Sequence, residues 1–261
     1  MQEEQVDCVF LSESWERENL SLQEIINLSN YEVVSNVSQR KGGGGRPAIV
    51  ANREKFDILN ITNSVVQIPW GVEAVWAILT PKTVNFDSKI KAIACCAFYS
   101  PPGSKQKSLL LDHFSDAYNL ISKRYSRGLE FILAGDANHL KLNSILNLNP
   151  RFCQIVKDYT RLDPPALLDP VLTTMSNYYQ VPKFLPPLDP DEVTGKKSDH
   201  LIVMVEPISE INNSCGREYR TVKTRPISQT GITQMKHWMI NQTWSEVYES
   251  DSAHKKSRSF H

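Results

Sequence analysis

No sign of charge dominates this sequence: its 29 lysines and arginines balance 29 aspartates and glutamates. The basic surplus that coats nucleic acid through phosphate contacts is therefore missing, although a local acidic site for a metal ion is compatible with the balance. No CxxC spacing links Cys8, Cys95, Cys96, Cys153 and Cys215. So scattered and odd a set argues against a zinc site or a disulfide framework and for a reducing compartment. No apolar run approaches the length of a membrane span. The opening Met-Gln-Glu-Glu-Gln is neither a secretory nor a transit sequence. The expectation is an intracellular protein, cytoplasmic or nuclear, with no membrane partner. Internal repeats are lacking as well. The run Gly42-Gly43-Gly44-Gly45 leads into a strand-like segment rather than a helix, so it is not a dinucleotide-binding fingerprint.

What is present suits a folded enzyme-sized domain. The 261 residues are 41% apolar and 22% charged, ordinary globular proportions with ample material for a core. Short apolar runs at 6–11, 31–37, 48–51, 56–61, 74–79 and 90–98 read as strands joined by short turns. A helix is expected over 20–28. The clearest helix spans 109–125, where Leu110, Phe114, Tyr118, Ile121 and Tyr125 recur at helical spacing. A buried strand at 129–134 (LEFILA) follows, then a helix-like segment at 140–148 and strand candidates at 166–173 and 201–205, the last two separated by a proline-rich loop. The irregular alternation suits a mixed sheet with helices outside it. After Pro207 the apolar pattern thins, so residues 1–208 are expected to form one domain. Residues 209–261 read as a linker-like basic tail with one short helix near 232–248.

Acids and amides sit at the ends of these strands: Glu13 after VFL, Asp136 and Asn138 after FILA, and Asp199-His200 ahead of LIVMV. Strand ends are rigid platforms for chemistry, and a few hard oxygen ligands suit magnesium and its phosphate substrates. Each signal also has a plain structural reading. A lone Glu13 caps or solvates a loop, Gly-Asp-x-Asn is a common turn, and Tyr99 before Pro101-Pro102 or Asp169 before Pro170 can simply mark a turn. The order in which they occur is the stronger signal.

Taken in that order, LSESW, GGGG, FYSPP, FILAGDAN, LLDPVLTT and KSDH resemble the endonuclease/exonuclease/phosphatase superfamily, and within it the apurinic-type endonuclease domain of non-LTR retrotransposons. The resemblance covers about residues 6–206. It extends more loosely into TRPISQTGI and MKHWMINQTWSEV, which are similar to the linker joining that domain to a fused reverse transcriptase. It implies an α/β (α+β) fold of mixed sheets packed as a sandwich with flanking helices. It also implies magnesium (or manganese) as cofactor, DNA as partner and a monomer. Glu13 would be the principal metal ligand, with Asp199 beside the metal. Tyr99 would bond a non-bridging phosphate oxygen, Asp136 would orient or deprotonate the attacking water, and Asn138 would position Asp136. Asp169 would hold His200, which would stabilise the transition state, and Thr160 would match a phosphate-side threonine. Arg40, Lys41 and Arg46 around the glycine run, with Lys196 and Lys197 before the SDH block, would contact DNA phosphates.

In three respects the sequence departs from the pattern, the mildest being Ala137 in GDAN, where these elements usually carry an aromatic or similarly large residue. Family members begin with a strand ending in an asparagine, and no such block precedes Glu13 here. The first strand is therefore expected to be missing, leaving neighbouring strand edges unpaired. No polymerase-like segment occurs within the 261 residues. Three readings stay open at this point: a metal-dependent DNA-nicking endonuclease, an inactive remnant or binding module of the same fold, and a relative that acts on phosphoinositides or sphingomyelin.

Overall fold

The computed structural model describes residues 6–14, 22–23, 29–36, 46–82, 89–103, 105–125, 127–187 and 198–208. The chain divides into two compact units, Met1–Ile211 and Asn212–His261. All described residues belong to the first, so the tail and its short helix lie outside them, as does nearly all of the helix expected over 20–28.

A six-stranded sheet runs in the order β4 (Phe56–Asn60), β5 (Glu73–Pro81), β6 (Ala92–Tyr99), β7 (Leu129–Asp136), β11 (Val171–Thr173), β8 (Cys153–Gln154). A three-stranded antiparallel sheet is ordered β1 (Cys8–Leu11), β3 (Ala48–Asn52), β2 (Tyr31–Ser35). Two ribbons complete it, β9 (Arg161–Leu162) with β10 (Pro165–Ala166), and β12 (Lys183–Leu185) with β13 (Ile202–Met204).

The long runs of β5 and β6 are apolar throughout because both of their faces are covered. Trp76, Ile78, Ala94, Cys96 and Phe98 point one way, into a core closed by Leu110, Phe114, Ala117 and Ile121 of helix α1 (Lys107–Arg124). The alternate residues Val75, Ala77, Leu79, Ile93, Cys95 and Ala97 point the other way, onto Val34, Ile49 and Ala51 of the smaller sheet. This is a sandwich of two sheets with a helix flanking one face. The Cys95-Cys96 pair divides between the two cores, which is why adjacent cysteines are both buried and reduced.

Helix α1 is the crossover that lets β6 and β7 run parallel, Tyr99 beside Asp136, since a parallel pair cannot be joined by a tight hairpin. All other ladders are antiparallel. Three local expectations change. The segment at 140–148 makes a single helical turn, α2 (Asn143–Leu146), in a stretch rich in asparagine, which competes for backbone hydrogen bonds. The strand expected over 166–173 is broken at 167–170, where Pro170 has no N–H to give and Thr160 Oγ1 takes the amides of Leu168 and Asp169 at 3.0 and 3.1 Å. Within the proline-rich loop, β12 was not expected. Among the described residues β1 is an edge strand, paired with β3 alone, and no helix is long and apolar enough to cross a membrane.

Candidate active site

The C-terminal ends of β6 and β7 lie side by side, and β5 begins at the same end because it runs antiparallel to β6. Gly135 makes the approach of β6 and β7 close: a Cβ there would fall 1.9 Å from the carbonyl oxygen of Phe98. Only glycine fits, so the glycine of GDAN is a packing requirement as well as a turn residue.

Asp136 is 8% exposed and tightly held. Its N–H donates to Ser12 Oγ at 2.8 Å, tying β7 to the loop after β1. Its Oδ1 accepts the Asn138 N–H at 2.8 Å, and its Oδ2 accepts Asn138 Nδ2–H, also at 2.8 Å. The same Nδ2 donates to the Ser100 carbonyl at 2.9 Å, pinning the amide between the two strand ends. Asn138 is left-handed, at φ 46°, a conformation asparagine tolerates better than most residues. Burial pushes the Asp136 carboxyl up to about 6; the charges of Asp169 and Glu13 add to the rise, while the Asn138 N–H and His200 oppose it.

Beside it, His200 Nδ1 faces Asp169 Oδ2 at 2.8 Å. That bond raises the imidazole above its ordinary range against the opposing effect of burial. It also fixes the ring so that Nε2 is turned toward the rim. Asp169 owes its place to Thr160, which is fully buried and shapes the Leu168–Asp169 turn through its hydroxyl oxygen. On the other flank Tyr99 lies near Glu13, an exposed carboxylate; burial first, and the neighbouring Glu13 after it, raise the phenol well above its ordinary range. Asp199 sits at the rim, 66% exposed, its Oδ1 3.8 Å from His200 Nε2.

The structure thus gathers Glu13, Tyr99, Asp136, Asn138, Asp169 and His200 at one end of the sandwich. Of the basic residues, Arg46 is described, and its backbone is part of this end of the fold. Arg40, Lys41, Lys196 and Lys197 lie outside the described residues.

No protein-family model matches the sequence, and no curated protein is similar to it. Solved structures are. The endonuclease domain of TRAS1, a telomere-specific non-LTR retrotransposon, superposes with a TM-score of 0.51 at 15% identity, over 78% of this chain and 85% of that one. The 3′-5′ exonuclease from Neisseria meningitidis does so with a TM-score of 0.53 at 14% identity, over 78% and 90%. The endonuclease/exonuclease/phosphatase from Bacteroides vulgatus gives 0.51 at 13%, over 78% and 85%. The chain has the endonuclease/exonuclease/phosphatase fold.

Within the endonuclease/exonuclease/phosphatase fold of this chain, the donor set fits a hard divalent ion. Glu13 and Asp136 offer hard carboxylate oxygens near one another, the charge of Glu13 being a minor contributor to the rise that burial causes at Asp136. Among the described residues no three ligating side chains close tightly around one point. Magnesium does not require that, being held by one or two carboxylates, its own waters and the substrate phosphate.

Sequence reasoning missed Ser12, Ser100 and Glu73. Glu73 is only 6% exposed, pairs in register with Tyr99 and contributes to raising that phenol. Its signal was available: an acid immediately before the apolar run AVWAIL. Strand starts, unlike strand ends, reach this face only through an antiparallel neighbour, which the sequence does not announce.

Proposed function

We propose that the chain is a divalent-metal-dependent phosphodiesterase that nicks DNA, an endonuclease of the non-LTR retrotransposon kind. The observation carrying this reading is the pairing, on one platform, of a buried, amide-oriented Asp136 with a His200 held by Asp169. Hydrolysis of a phosphodiester needs a group that takes or orients the proton of water, and donors aimed at the oxygens where charge grows. Asp136 is oriented for the first role by both bonds from Asn138. His200 supplies the second: with Nδ1 committed to Asp169, its Nε2–H is left to donate to a phosphoryl oxygen, and the carboxylate stabilises the imidazolium form. Tyr99 retains its proton and so has an O–H to offer a non-bridging oxygen. When bound, magnesium or manganese on Glu13, with Asp199 at the rim, supplies the positive charge that the phosphoryl oxygens require.

DNA as substrate is in keeping with the 3′ phosphatase NExo from Neisseria, a structure bound to a product DNA hairpin, which has a TM-score of 0.53 at 13% identity to this chain. The edge position of β1, which precedes Glu13, favours a second reading, that the fold persists without its chemistry.

One experiment separates them. Purified full-length protein is incubated with supercoiled plasmid in magnesium or in EDTA, beside Glu13→Ala and His200→Ala. Magnesium-dependent nicking, reduced by about 10²–10³-fold in each variant, is the expected outcome. A folded wild-type protein that leaves the plasmid supercoiled establishes the second reading.

A further inference from the structure

Glu13 stands on a loop, and three observations together say what steadies it. Ser12, on one side, accepts the N–H of Asp136 at its Oγ, 2.8 Å away. Ser14, on the other, donates its N–H to the Arg46 carbonyl at 3.1 Å. The Arg46 N–H in turn donates to Glu73 Oε2 at 3.2 Å. Arg46 is left-handed, at φ 67°, an unfavourable conformation for a residue with a long side chain. Such a residue keeps its conformation only when its surroundings fix it. Here the fixing group is a carboxylate 6% exposed at the start of β5, a strand buried on both faces and opposite Tyr99 in register. A buried carboxylate is costly, and a valine or threonine would begin this strand without that cost.

We infer that Glu73 is a positioning residue: it holds Arg46 in its left-handed turn, and Arg46, through Ser14, sets Glu13 where a phosphate-bound divalent cation is received. This inference rests on the phosphodiesterase reading for its purpose but not for its geometry. The contact with Arg46 runs from carboxylate oxygen to amide, so for this role residue 73 must supply a well-placed acceptor oxygen. Glutamine meets that demand; alanine does not.

The experiment uses the full chain in two measurements. Amide hydrogen exchange is followed by NMR in wild type, Glu73→Gln and Glu73→Ala. In wild type the Arg46 amide, which lies outside every strand ladder, is protected; free exchange there overturns the inference whether or not the variants fold. In Glu73→Ala, Arg46 and Ser14 lose protection by about tenfold or more while the β6 and β7 amides keep theirs, and Glu73→Gln resembles wild type. Unchanged Ser14 protection in Glu73→Ala also overturns it. Binding of Mn²⁺ without DNA is then titrated by the EPR signal of the free ion. Affinity falls about tenfold in Glu73→Ala, the usual effect of losing support behind a ligand, and is retained in Glu73→Gln. If Glu73→Gln loses Mn²⁺ as severely as Glu73→Ala, the charge itself is needed, and Glu73 is a ligand rather than a support. Neither measurement depends on nicking, so a failure of the phosphodiesterase reading remains separately visible.

Discussion

His113 gives the fold a built-in sensitivity to acid. It is 4% exposed on the inner face of α1, and its Nε2 accepts the indole N–H of Trp76 at 3.0 Å. An imidazole that accepts at Nε2 must be neutral. Protonation would set one N–H against another inside an apolar core. Burial accordingly lowers the group from 6.5 to about 4, with Asp116 opposing weakly. Because the folded value lies below the unfolded one, the unfolded chain binds the extra proton first. The associated stability is fully present above about pH 6.5 and drains away as the pH falls toward about 4, by roughly 3 kcal/mol in all. By pH 5 the loss is about 2 kcal/mol, a large part of a typical domain's margin. Guanidinium titrations of wild type and His113→Gln at pH 7.5 and pH 5 test it, since glutamine can accept the Trp76 N–H but does not titrate. Asp136, His200 and every other titrating group is common to both proteins, so the difference of differences isolates His113. Wild type should lose about 2 kcal/mol more than the variant between the two pH values. Equal losses would refute the assignment of a neutral, accepting imidazole.

Three further outcomes follow from the same geometry. Gly135→Ala forces β6 and β7 apart, because the new methyl meets backbone rather than a yielding side chain; a loss of about 1–3 kcal/mol is expected from the denaturation midpoint, and an unchanged midpoint contradicts the close approach. Arg151 bonds both oxygens of the buried Glu130 at 2.5 and 2.6 Å, and Thr174 Oγ1 donates to the same carboxylate. Arg151→Ala therefore costs about 1.5–3 kcal/mol, and Glu130→Gln added to it restores part of the loss by removing the stranded charge; a double variant weaker than the single would refute this. Asp169→Asn leaves the shape of the site but takes away the negative charge facing His200 Nδ1 and the tautomer it fixes, so plasmid nicking should fall about 10²-fold or more with the midpoint little changed. Activity close to wild type would remove the Asp169–His200 pair from the chemistry.

The strands were legible where burial dictates composition. β5 and β6, covered on both faces, could only be continuous apolar runs, and α1 shows its inner stripe plainly. Asp136 and Asn138 were legible from their place in the order of motifs, since Gly-Asp-x-Asn after a buried strand is by itself a common turn. The partnership of Asp169 with His200 was legible only through the family resemblance, since 31 residues separate them and no spacing rule links them. Glu73 escaped because its place depends on β5 running against β6. Thr160, matched to the phosphate side by the resemblance, accepts at its hydroxyl oxygen the amides of the turn that carries Asp169. Pro170 divided a segment whose composition had suggested one strand, as the missing amide of a proline allows.

The bond between Ser12 and the Asp136 amide spans 124 positions of sequence, and His200 must still arrive from farther along the chain. Loops of that size close late, after local helices and hairpins have formed. On the ribosome, every partial product that ends before residue 200 is therefore a strand-and-helix scaffold lacking its imidazole. The Asp169–His200 pair can therefore form only after the platform that carries Asp136 has been made, so this end of the sandwich is assembled in chain order, carboxylates first and imidazole last.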